Sequence, residues 1–177
     1  NLNGIGGYAG HPINEPDATP PVFRQIEGRS GLWFDHDPAS QSDGRVLGNY
    51  SLQAWSDHPA ARLSWHAGWD SHAYGHDVWQ SFTAKGEFDN LQGNGDAGAL
   101  AIHAELEAGE TMTVVFSLAW YMPHLLAAET DWTHLVRPSS APPPPVTPNR
   151  PDYGHVYQRW YRDSWEIAAY GLRHWQD

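Results

Sequence analysis

Residues 98–120 constrain this chain more than any other stretch. Leu100, Ile102, Ala104 and Leu106 share one parity, and Met112, Val114, Phe116, Leu118 and Trp120 share the same one. Alternation with period two marks a half-buried strand, because successive side chains on an extended backbone leave on opposite faces. Two strands are therefore predicted, with Glu107-Ala108-Gly109 between them. A two-residue turn would set even positions against odd ones and split the apolar row. A three-residue loop sets Leu106 against Glu110, Ala104 against Met112 and Ile102 against Val114, and places Gly109 where a left-handed residue is wanted. The expectation is a β-hairpin.

The same logic extends toward the N-terminus. Short extended runs occur at Gly31 to Phe34, Val46 to Trp55 and Ala61 to Trp65, separated by turn residues. Spacings of roughly 10–15 residues suit an antiparallel sandwich. Val78 to Phe82 reads as a short strand or one helical turn. Residues 1–30 are rich in Gly, Pro and Asn and read as irregular. Near the C-terminus the period changes. Trp165, Ala168, Ala169, Leu172 and Trp175 follow helical spacing, and Tyr161 extends the stripe. Such a helix needs a surface to cover its aromatic face. Either the sandwich supplies that surface or a further domain does. Between the two parts, residues 138–151 hold seven prolines, the composition of a stiff, extended connector. The predicted organisation is a mainly β domain, an antiparallel β-sandwich or part of one, over 1–136. A proline-rich connector follows at 137–152, then an amphipathic helix at 153–177.

Composition removes several classes of function. The 177 residues carry 10 basic and 21 acidic side chains, for a formal charge of −11, and Lys85 is the one lysine. A phosphate backbone needs a basic stripe, so no nucleic-acid partner is expected. No run of eighteen apolar residues exists, so no transmembrane segment is expected. The absence of cysteine excludes disulfides and thiolate metal sites. It leaves the compartment open, with the cytoplasm as the working expectation. Asn49-Tyr50-Ser51 fits a glycosylation sequon, which matters only in a eukaryotic secretory route.

Candidate chemistry is sparse. Gly4-Ile5-Gly6-Gly7-Tyr8-Ala9 matches a dinucleotide-binding fingerprint in form. It lacks the strand before it and the helix after it, and it reads as a glycine-rich loop. Asp70, His72, His76 and Asp77 form the densest group of ligand-type side chains. His72 and His76 would face the same way only on a helix, and Tyr74-Gly75 between them argues for a loop. Three readings stay open for this group: a hydrogen-bonding loop, a place beside a sugar site, or a metal site. Neither metal nor cofactor is expected. Ten Trp residues are the other signal, since indole faces stack on sugars as well as filling cores. Trp69, between Gly68 and Asp70, is the one placed in a loop. Glycoside hydrolysis needs a pair of carboxylates on a rigid frame. Glu105 with Glu107 lie on the solvent parity of the hairpin, and Asp35 with Asp37 flank a strand end at Pro38. Neither is a convincing pair, and no catalytic residue is assigned.

A resemblance to a known family adds to this reading. The order is Val78-Trp79-Gln80-Ser81-Phe82, Gly86-Glu87-Phe88, Gly98-Ala99-Leu100-Ala101, Leu106-Glu107-Ala108-Gly109-Glu110, and then Val114 through Phe116-Ser117-Leu118-Ala119-Trp120 to Pro123. It resembles the N-terminal domain of glycoside hydrolase family 116, the family of non-lysosomal glucosylceramidase and bacterial β-glucosidases. Tyr157-Gln158-Arg159-Trp160-Tyr161 and Ser164-Trp165-Glu166-Ile167-Ala168 are similar to later segments of the same family, and Asn3-Gly4-Ile5-Gly6 to an earlier one. The likeness spans roughly residues 45–177. Tyr121 stands where the family has an acidic residue, Ala108 replaces a turn proline, and the proline connector diverges.

The resemblance implies that the sandwich is the later part of a larger one. It also implies that residues 153–177 lead toward a helical α/α-barrel catalytic domain, which would supply both carboxylates for retaining hydrolysis of a β-glucoside. The chain's partners would be that domain and a β-glucoside or glucan. Trp69, Asp70, His72, His76 and Asp77 are the candidates for the active-site rim. Two other expectations belong to different classes: a stand-alone carbohydrate-binding module, which requires a line of exposed Trp on one sheet face, and a structural subunit of a separate catalytic chain.

Overall fold

The computed structural model describes residues 19–35, 48–71, 76–123 and 154–177. The glycine-rich motif at residues 4–9, Asp37, His72 and the proline connector lie outside the described residues. Among the described residues, seven strands fall in two sheets. β1 (Val22–Ile26), β2 (Arg29–Asp35), β3 (Asn49–Ser56) and β7 (Val114–Tyr121) form one sheet in the order β1-β2-β3-β7, all antiparallel. β4 (Arg62–Trp69), β5 (Leu91–Gln92) and β6 (Ala97–His103) form the other in the order β5-β4-β6. The short β4–β5 pair is parallel and β4–β6 antiparallel. The helices among the described residues are α1 (His76–Lys85) and α2 (Ser164–Arg173), with a 3₁₀ turn at Val156–Arg159. The fold is mainly β, an antiparallel sandwich followed by a C-terminal helix.

Alternation decides which side chains meet between the sheets. Leu32 and Phe34 of β2, Tyr50 and Leu52 of β3, and Ala67 of β4 form the buried core, with Phe23, Trp65, Leu100 and Met122 packed on it. Phe23 lies flat on Trp65, ring centres 4.5 Å apart. β4 carries a bulge between Ala67 and Trp69. Gly68 sits there at φ +75°, and a Cβ on it would fall 2.3 Å from the Gly93 carbonyl oxygen. Only glycine fits a left-handed backbone pressed this closely against another chain segment.

The outer faces of both sheets are also covered. Ser51 and Gln53 point away from the core, yet both are fully buried, because α2 lies on β3 and β7. Ser51 Oγ donates to the Ser164 carbonyl at 2.7 Å, Gln53 Nε2 donates to the Trp165 carbonyl at 2.8 Å, and Asn49 Oδ1 accepts from the Ser164 amide at 2.8 Å. Asp163 caps the helix by accepting from the Glu166 amide. Trp165, Ala168 and Ala169 are buried against the sheet. Of the two surfaces open to α2, the sandwich is the one that covers its stripe. Trp175 lies past the end of the helix and is exposed. On the other sheet, the segment 86–90 crosses the outer face. The Phe88 amide donates to Ser64 Oγ, and Asn90 Oδ1 accepts from the Trp65 amide.

Three expectations are corrected. β1 and the start of β2 lie within the stretch read as irregular. Of the two readings of Val78 to Phe82 the helical one holds, but over ten residues rather than one turn. The predicted hairpin is two strands in different sheets: β6 pairs with β4, and β7 pairs with β3 over all eight of its residues, Val114↔Ser56 to Tyr121↔Asn49. Residues 104–113 arch between the sheets, with Gly109 at φ +93° in a tight turn closed by the Glu110 amide on the Glu107 carbonyl. The physical reason is partner supply. An isolated hairpin has one ladder and one face to bury, whereas separate partners let each strand extend a sheet already packed on a core. Asp57 fixes that choice at the start of β7, accepting from the Thr113 amide at 2.8 Å while its own amide donates to the Thr113 carbonyl.

Candidate functional site

Trp69 is the last residue of β4, not a loop residue. It pairs with Ala97 and is 4% exposed. The bulge at Gly68 sets it at the sheet end, and the chain then turns outward. Asp70 is exposed. Ser71 anchors the turn through its amide and hydroxyl, which donate to the Asp96 carboxylate at 3.0 and 2.6 Å. His76 and Asp77 are the first two residues of α1, and His76 Nε2 lies 3.4 Å from Gln80 Nε2. The predicted rim residues are thus distributed over a strand end, a turn and a helix start, with His72 outside the described residues. Among the described residues no group of three or more His, Asp or Glu stands close enough to hold a metal ion.

The concave feature of this side is a cavity of about 300 Å³. α1 contributes Val78, Trp79 and Phe82, and Leu100, Phe116 and buried Trp69 close it. Phe82 links the helix to Phe88 at 4.9 Å between ring centres, which ties α1 to the segment lying over Ser64. Among the described residues the lining holds no ionisable side chain, and it suits apolar groups.

Carboxylates elsewhere have structural partners. Glu105 and Glu107 lie exposed on the arch, and Glu107's amide donates to Glu110 Oε2. Asp35 ends β2, exposed. Asp57 is held below the ordinary carboxylate range by its bonds to Thr113, Asp89 by those from Lys85 and Ser81, and Glu166 by those from Arg162. Burial pushes the His66 imidazole down despite nearby Asp89. Glu87 reaches His103 Nε2 at 3.2 Å. None of these is a pair flanking a cleft. The sequon at Asn49 is equally engaged, since its side chain bonds Ser164 and Ser51 is buried.

The aromatic stripe singled out in the sequence is only partly covered: Trp165 is buried, while aromatic surface stays open at the C-terminal end. Docking α2 on the sheet leaves Trp160 68% and Trp175 43% exposed, with Tyr170 between them in sequence 45% exposed. Tyr170 meets Tyr161 edge-on at 5.9 Å and stacks on His174 at 4.2 Å. Tyr157 fastens this segment to β7: its hydroxyl donates to the Met122 carbonyl and accepts from the Met122 amide. Trp175 belongs to the predicted stripe while Trp160 and Tyr170 lie off it, and only the docked helix shows which aromatics stay exposed. No helix among the described residues is long and apolar enough to cross a membrane.

Residues 3–177 match the family model described as beta-glucosidase 2, glycosyl-hydrolase family 116 N-term. No curated protein and no solved structure matches the chain.

Proposed function

The chain belongs to the N-terminal family of glycosyl-hydrolase family 116, and on that premise we propose that it is the non-catalytic sandwich of a β-glucosidase-like enzyme, docking on a helical catalytic domain. The observation that carries this reading is the exposed aromatic surface around α2, Tyr170 on the helix with Trp160 before it and Trp175 past its end, while the other face of α2 is already buried. Large aromatics held rigidly at the surface mark an interface to be covered. Among the described residues no carboxylate pair flanks a cleft, which agrees with the acid and the nucleophile lying in the partner domain. In this reading the β4–α1 connection, Trp69 to Asp77, lies at the rim of the active site.

The carbohydrate-binding module gains less support. Trp33 and Trp69 are buried, and Trp65 is stacked under Phe23. The exposed Trp55, Trp79 and Trp120 lie on β3, α1 and β7 rather than in one line. The test uses the isolated chain and the helical domain of the same protein, made separately. The chain alone is expected to leave an aryl β-glucoside intact. Added to the helical domain, it raises that domain's Tm, and Trp160→Ser with Trp175→Ser removes the effect. Release of the aglycone by the chain alone, or an equal Tm shift with the double variant, overturns the proposal.

A further inference from the structure

Among the described residues β7 is the longest edge strand, eight residues against seven for β6. It runs Val-Val-Phe-Ser-Leu-Ala-Trp-Tyr, with no charge, no proline and no glycine. Natural sheets protect such edges with charged residues, prolines, bulges or short length. The opposite edge of the same sheet, β1, is five residues long and carries Arg24 and Gln25. β5 is only two residues long. Among the described residues no strand pairs with the far side of β7.

Its inner row is also uncovered. Phe116, Leu118 and Trp120 stand opposite Ala54, Leu52 and Tyr50 of β3, so they share the core face. Leu52 and Tyr50 are buried, but Phe116, Leu118 and Trp120 remain 50%, 38% and 58% exposed. β6 faces chiefly β2 and β3, and of the row on β7 Phe116 lines the cavity it shares with Leu100 and α1.

We propose that β7 pairs with β7 of a second copy of this chain, antiparallel about a two-fold axis through Leu118. In that register Phe116 of each copy lies opposite Trp120 of the other, and Leu118 opposite Leu118. Opposed residues of an antiparallel pair share a face, so the apolar row meets an apolar row, and the row under α2 meets its own counterpart. The strand is self-complementary because all three bulky residues have one parity and are centred on Leu118. The acids nearest in sequence, Glu105, Glu107 and Glu110, lie on the arch, so the negative charge of the chain is not carried on the strand itself. A strand as partner satisfies the backbone donors and acceptors of the edge, which a glycan or a helix packed on the apolar row leaves unpaired. The contact is isologous and closes at the dimer. It is separate from the aromatic face of α2 and does not depend on the docking proposed for it.

Sedimentation equilibrium of the chain is expected to give twice the monomer mass. Leu118→Lys and Leu118→Glu each place like charges across the axis and are expected to lose the dimer. Mixing the two is expected to restore it as a heterodimer, because residue 118 faces itself only in this register. Both variants are checked for folding by circular dichroism. Should either fail to fold, hydrogen exchange on the unmodified chain decides the matter through concentration-dependent protection of the β7 amides. A monomer at every concentration overturns the proposal, as does a dimer that survives in folded Leu118→Lys, or two folded variants that do not associate on mixing. Protection of β7 that is independent of concentration overturns it too, since the edge is then covered within one chain.

Discussion

Ser51 and Gln53 are polar, sit in mid-strand and are fully buried. Their alternation with Tyr50, Leu52 and Ala54 reads as an ordinary half-buried strand with a wet outer face. They are dry because the carbonyls of Ser164 and Trp165 come down on them as acceptors. A buried polar group without a partner costs about 1–3 kcal/mol, so these bonds make the position of α2 specific as well as favourable. Gly98 shows the opposite kind of constraint. A Cβ there would lie 2.7 Å from Leu32 Cδ1 and 3.3 Å from Phe34 Cζ. Gly98→Val is expected to lower stability by about 1–3 kcal/mol through overpacking, read as a lower urea midpoint with an unchanged slope. An unchanged midpoint would show that the two sheets separate more easily at Gly98 than this packing allows.

At the level of elements, α2 belongs to the sandwich as much as any strand does. Trp165 is 5% exposed and Ala168 and Ala169 almost fully buried, while Ser164 and Trp165 carry the hydrogen bonds from β3. Trp165→Ala removes the largest side chain from that layer and is expected to cost about 3–5 kcal/mol, with a matching fall in Tm. A smaller loss than for an exposed substitution such as Trp160→Ala would place the helix outside the folded core. The arch over 104–113 carries the second lesson at this scale. Alternation in β6 and β7 was legible in the sequence, and so was the left-handed turn at Gly109. The pairing was not, because a period-two pattern states which face is apolar and is silent on which strand lies alongside.

Across the whole molecule, acid acts in one direction at several places. His66 is held below its ordinary value of 6.5 by burial, so the unfolded chain binds the proton first. Its contribution is therefore present above about pH 6.5 and is lost as the pH falls through that window. Asp57, Asp89 and Glu166 are held low by hydrogen bonds, and theirs is lost further down, as the pH drops through the folded values. Protonation also relieves the repulsion of a chain with a formal charge of −11, an opposing effect that salt screens. In moderate salt, Tm is expected to fall between about pH 7 and about pH 5. His66→Gln is expected to flatten the first part of that slope. A Tm that rises on acidification would mean that charge repulsion, not burial, governs stability.

The candidate site was legible only in pieces. Trp69 announced itself by its glycine neighbour, but that glycine makes a bulge rather than a loop, so the indole is buried in a cavity wall. Residues 76–85 hid a helix, because Val78, Trp79 and Phe82 cover an apolar patch too short to show a period.

What the sequence determined by itself is local: which stretches extend, which one coils, where a left-handed residue is required, and which family the order of motifs belongs to. All but the family follow from backbone sterics and side-chain periodicity within a few residues; the family rests on the resemblance of the motifs in their order. The tertiary structure alone decided that β6 and β7 part company, that a polar strand face is roofed by a helix, and which aromatics around that helix stay exposed. Those outcomes depend on how much surface distant segments bury together, a quantity that no local pattern contains.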